Sequence, residues 1–105
     1  MASKEYVNYR FLVANPETSG DNPLILQTSG KKIVVVSVLA VSTGVVTIVF
    51  KSDSGVVSGH MDLIANSGFS IYNPGGVFAS RIGGPLLVNL SANIKVGLTI
   101  TYELI

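Results

Sequence analysis

KKIVVVSVLAVSTGVVTIVFK, residues 31–51, carries no charge between Lys32 and Lys51, and its reading decides the fold. As a helix, residues 33–50 would span ~27 Å, close to the ~30 Å hydrocarbon core of a membrane. Its middle is Ser42-Thr43-Gly44, however, a polar turn cluster where a span should be most apolar. Most of its residues are Val, Ile and Thr, which are stiff at χ1 and fit a pleated surface. Its second half alternates, with Val46, Ile48 and Phe50 on one side and Thr47 and Lys51 on the other. These features predict a hairpin, strands 33–41 and 45–51 around a three-residue loop holding Gly44.

The rest of the chain extends this reading. The last strand, VGLTITYEL, has Val96, Leu98, Ile100, Tyr102 and Leu104 alternating with Gly97, Thr99, Thr101 and Glu103. That period of two places one face in a core, and a one-residue slip would bury Thr99, Thr101 and Glu103 together. Leu86, Val88 and Leu90 repeat the pattern against Asn89 and Ser91. Residues 56–66 form an extended segment bulged at Ser58-Gly59. Asn73-Pro74-Gly75-Gly76 is the strongest turn signal, since Pro presets one φ and Gly permits positive ones. No ten-residue segment has helical periodicity. The chain therefore reads as all-β, one antiparallel β-sandwich or jelly roll of about seven or eight strands over residues 31–105.

Residues 1–30 differ, with turn clusters at Asn15-Pro16, 18–23 and 28–30. They read as an extended N-terminal arm, or as a first strand plus a loop, with extended pieces at 6–13 and 24–27. Residues 33–41 are apolar on both faces except at Ser37, so this strand is expected to be covered twice, once by the second sheet and once by something else.

The totals limit the function. At 105 residues one core forms without metal or disulfides, and with no cysteine there is no thiolate site or thiol nucleophile. The formal charge of +1 argues against a general nucleic-acid binder. The start, MASKEYVNYR, reads as having no signal peptide, which predicts synthesis in a cytoplasm. Charged residues make up 12%, about half the usual ~25%, and mean hydropathy is positive, so more apolar surface is expected to be covered than one small core hides.

Catalytic chemistry is weakly represented. His60 is the single histidine; Asp62 stands two residues on, with no nucleophile assignable beside it. Asp53-Ser54-Gly55 lacks the ligand count of a calcium loop, and Gly75-Gly76 and Gly83-Gly84 are turns rather than phosphate cradles. The reading is of a protein that is not an enzyme and needs no cofactor, metal or small-molecule substrate.

Residues 45–104 carry a resemblance. Phe50-Lys51-Ser52, Ser58-Gly59 followed by Met61 and Leu63, Asn66, Pro74, Gly76, Phe78 and Gly83 belong to it. So do the run 86–91 and Val96-Gly97 with Tyr102. This pattern resembles the head decoration, or cement, proteins of tailed bacteriophages. It departs from them at Ser67-Gly68, where paired glycines are expected, and at Arg81, where an arginine is not. The resemblance implies a homotrimer of jelly-roll subunits on the virion's capsid exterior, bound to the major capsid protein, with neither nucleic acid nor membrane as partner. Residues expected at an oligomer or capsid interface are Tyr6, Tyr9 and Phe11 in the first segment and Ile33, Val35 and Val36 in the doubly apolar strand. The alternatives are a minor tail-associated virion protein and a trimeric jelly-roll binding module, a lectin or receptor-binding tip. The second would use Phe69, Tyr72 and Phe78 around Asn73-Pro74.

Overall fold

The computed structural model describes residues 8–27 and 29–105. Among them there is no helix, hence none long and apolar enough to cross a membrane. Ten strands form: β1 (Arg10–Ala14), β2 (Gly20–Ile25), β3 (Ile33–Ser42), β4 (Val46–Ser52), β5 (Gly55–Val56), β6 (Met61–Leu63), β7 (Ser67–Tyr72), β8 (Phe78–Ala79), β9 (Leu86–Leu90) and β10 (Val96–Leu104).

They make two antiparallel sheets. Sheet A runs β1-β10-β3-β7, with β8 continuing the β7 side of β3; sheet B runs β2-β9-β4, with β5 and β6 sharing the far side of β4. Each sheet is thus four strands wide, and the two extra strands beyond the expected eight are the two-residue pieces β5 and β8. The pairs β1–β10, β2–β9, β3 with β7 and β8, and β4 with β5 and β6 follow one another along the chain. They describe one long antiparallel ribbon rolled so that alternate segments fall in opposite sheets. That is the winding of a jelly roll.

β3 and β4 are real, but they are not a hairpin. β3 pairs with β10 and β7, whereas β4 pairs with β9 and β6, in the other sheet. The chain arches from one sheet to the other at Thr43-Gly44-Val45. Ser42 Oγ donates to Gly44 O at 2.5 Å, and Thr43 N donates to Lys95 O at 3.1 Å, so the arch satisfies its own polar groups. An arch and a hairpin share the same local pattern, two apolar strands about a glycine loop. The arch wins because both strands then bury a face against each other's sheet.

The core lies between the sheets. Ile33, Val35, Val38 and Ala40 from β3 and Val96, Leu98 and Ile100 from β10 meet Val46, Ile48, Phe50, Leu86, Val88 and Leu90 from sheet B. Each large side chain contributes ~1.5–3 kcal/mol on burial. The alternation in β10 holds along its full length. In β3 it slips: Ser37 pairs with Thr101 but Val35 with Tyr102, leaving Val36 as an extra residue. This bulge lets Ile33 and Val35 face inward before it and Val38 and Ala40 after it. Val36 is itself buried.

Local chemistry fixes the turns. Gly75 N donates to Asn73 Oδ1, and Gly76, at φ +107, donates to Asn73 O, each at 2.9 Å. A Cβ at Gly68 would lie 1.9 Å from Ala40 O, so β7 can approach β3 only with glycine there. Buried Ser80 is satisfied by Ile33 N and by Arg81 O, both at 2.9 Å.

Candidate interaction surface

Alternation along sheet A turns every second residue away from the core. With Leu12, Ile100 and Val38 inward, the row Phe11–Thr101–Ser37–Tyr72 faces out, followed by Val13–Thr99–Leu39–Ser70 and then Gly97–Val41–Gly68. On this face Phe11 is 75% exposed, Val13 73%, Tyr72 66%, Leu39 49% and Val41 48%. The only charged residue at an outward position of these strands is Glu103, at the end opposite Val34. Three interstrand steps of ~4.8 Å by five residues of ~3.4 Å give a patch on the order of 250 Å². That is well short of the ~800 Å² per partner of a stable two-body interface. Such a face suits contacts that are weak singly and numerous on a large surface.

The sheet edges reinforce the asymmetry. β1, RFLVA, is an outer strand of sheet A and carries no Pro and only Arg10 as a charge, and no other strand of the described residues pairs with its outer edge. β2, the outer strand of sheet B, holds Asp21 and Pro23, and its register shifts between Pro23 and Ile25. A charge, a proline and a bulge are devices that block edge pairing.

The outer face of sheet B is mixed: Val49, Leu87 and the exposed Val56 share it with polar side chains bonded to one another. Lys51 Nζ sits 3.1 Å from Asp21 Oδ2, and Asn89 Nδ2 donates to Asp21 Oδ1 at 2.7 Å. The Asn89 bond first, then the Lys51 ammonium, holds the Asp21 carboxyl below the ordinary aspartate value. Thr47 Oγ1 donates to Asp62 Oδ1 at 2.6 Å. Arg81 pairs with Asp53, tying the turn after β4 to the loop after β8.

The residues expected at an interface fall in different places. Tyr6 lies outside the described residues. Tyr9 is half-exposed just before β1, and Phe11 stands on the apolar face at its β1 edge. Ile33 and Val35 belong to the core, and Val36 is buried at the bulge, so none of the three is available on the subunit surface. The outward apolar residues of that strand are Leu39 and Val41. The bulge is the reason: it moves the outward register along by one residue, and a run of three valines gives no sign of where it occurs. Val13 was also not legible as a surface position, because pairing to β10 decides which way it points; Tyr72 reads from sequence as part of a loop cluster, and pairing to β3 places it on this face instead.

His60 and Asp62 do not form a paired unit on one strand. His60 precedes β6, at the rim of a cleft between the sheet edges, while the Asp62 carboxylate is engaged by Thr47. Among the described residues no three His, Cys, Asp or Glu side chains are grouped to hold a metal ion. Of the binding-module residues, Phe69 and Phe78 line that cleft and Tyr72 faces out from sheet A.

No protein-family model matches the chain, and no curated protein is significantly similar to it in sequence.

Proposed function

We propose that this protein is a non-enzymatic structural subunit of a tailed-bacteriophage virion, a decoration protein that trimerises and binds the outside of the head, bridging neighbouring capsomers. The observation that carries this reading is the outer face of sheet A. Phe11, Val13, Leu39, Val41 and Tyr72 lie exposed there, beside an edge strand free of blocking residues. Isolated exposed apolar residues are ordinary, but a row of them on one sheet face marks a surface that another surface covers. A low charged fraction fits a chain that spends its working life in an assembly. The jelly-roll winding is compatible with the resemblance carried by residues 45–104, though a fold alone hosts many functions. The partner in this reading is the major capsid protein, and the working location is the capsid exterior.

The test is co-sedimentation with undecorated heads of the phage that encodes the chain. Wild-type protein is expected to pellet with the heads to saturation, and Val13→Asp, which keeps the core intact, is expected to stay in the supernatant. Wild-type protein that fails to bind, or Val13→Asp binding as well as wild type, rules against this surface as the attachment face.

A further inference from the structure

The sandwich is closed less completely along one side, between β7 and β8 of sheet A and the segment from Val57 to β6 of sheet B. Here the chain leaves the ladder after Val57, whose N–H still donates to Phe50 O at 2.8 Å, and the Ser58 hydroxyl, not a backbone carbonyl, accepts the hydrogen bond of Phe50 N at 2.9 Å. The Ser58-Gly59 break shortens the edge of sheet B and leaves a cleft of about 610 Å³. Three of the four phenylalanines of the chain line it: Phe50 on the floor, stacked on Phe78 with ring centroids 4.8 Å apart, and Phe69 on the wall. Met61, Ile71 and several aliphatic side chains, Val57 and Leu63 among them, supply the rest of the apolar lining, and Ile71, though on the core side of β7, is 47% exposed.

We propose that this cleft is a binding site for a small, uncharged aromatic molecule carrying one hydrogen-bonding group. This goes beyond the assembly reading and does not depend on it. The volume falls within the ~300–1,000 Å³ range of small-molecule pockets. Phenylalanine rings and a methionine thioether favour a planar aromatic partner in offset or edge-on contact. The charge pattern disfavours an ion: no lysine or arginine lines the cleft, and Asp62, the one acidic lining residue, has its Oδ1 engaged by Thr47. The Ser58 hydroxyl is occupied too, since it also donates to Gly59 O at 3.0 Å. The His60 imidazole, among the lining residues, is placed to meet the ligand's hydroxyl or carbonyl.

Titration with the neutral dye N-phenyl-1-naphthylamine, followed by its fluorescence, tests this. Emission is expected to rise and saturate at one dye per subunit. Ile71→Glu, a charge at the half-exposed mouth, is expected to weaken binding by about tenfold or more. Phe11→Ser, which alters only the outer face of sheet A, is expected to leave it unchanged. Emission that never saturates, full binding by Ile71→Glu, or loss of binding in Phe11→Ser would overturn the proposal. Should Ile71→Glu lose its cooperative thermal transition, Met61→Gln keeps the volume with less apolar character, and the same weakening is expected of it; full binding by this variant overturns the proposal equally.

Discussion

The two outer faces of this sandwich are both built from antiparallel strands, yet they differ in chemistry: apolar side chains dominate the face of sheet A, while on sheet B they are interleaved with a bonded polar set. Sheet B presents Asp21, Lys51, Asn89, Thr47 and Asp62 in mutual hydrogen bonds, and its edge strand carries Asp21, Pro23 and a bulge. Sheet A presents Phe11, Val13, Leu39, Val41 and Tyr72, and its edge strand carries no such block. Both sheets share one core, so folding alone does not require the difference. Sheet B has its polar groups satisfied within the subunit and its edge closed to strangers. Sheet A is left open on both counts, which is what a contact surface needs.

The largest effect is expected where the framework of sheet A itself is broken. Gly68→Ala would push a methyl group toward Ala40 O, at a site where the ideal Cβ position is only 1.9 Å from that oxygen. The β7–β3 ladder must shift, at a cost of about 3 kcal/mol. Chemical denaturation should show it as a lower midpoint, and an unchanged midpoint would mean that β7 does not lie where it is described.

An intermediate result sharpens the comparison between the faces. Leu39→Asp on sheet A should leave the stability of the isolated subunit within about 1 kcal/mol, because the side chain is already half in water. Its effect should fall on association instead. A loss of several kcal/mol in thermal unfolding of the monomer would place Leu39 in the core and remove the basis for treating this face as free.

The smallest effect is expected on sheet B. Asp21→Asn should cost only about 0.2–1 kcal/mol, since the Lys51–Asp21 pair is partly exposed and screened. The pH dependence has a defined sign. The folded state holds the Asp21 carboxyl below its unfolded value, so its contribution is fully present above about pH 4 and is lost as pH falls through the lower folded value. Stability measured between pH 6 and pH 2 should therefore fall less in Asp21→Asn than in wild type. Parallel curves would show that the network adds nothing.

The alternation in β10 and the Asn73-Pro74-Gly75-Gly76 turn were legible in the sequence because each is decided locally, by a period of two and by fixed φ preferences. The relation between β3 and β4 was not. Whether a glycine loop closes a hairpin or an arch depends on which distant strands, β10 and β9, occupy the neighbouring positions. β1 and β2 were only partly legible, β1 as an extended piece at 6–13 and β2 as turn clusters with an extended piece at 24–27, for another reason. Edge strands with both faces partly in water show little contrast between alternate residues, so RFLVA reads equally as arm or first strand and GDNPLI mostly as loop. The contact face was half legible. Phe11 stood out as an aromatic in a polar segment, but the outward residues of β3 depended on a bulge at Val36 that a valine run conceals.

The most direct test of the central claim, that the outer face of sheet A is an assembly surface and that of sheet B is not, is co-sedimentation of the face variants with undecorated heads. Wild type and Asp21→Asn are predicted to pellet with the heads, and Leu39→Asp to stay in the supernatant. Wild-type protein left in the supernatant, or Leu39→Asp pelleting as wild type does, would contradict it.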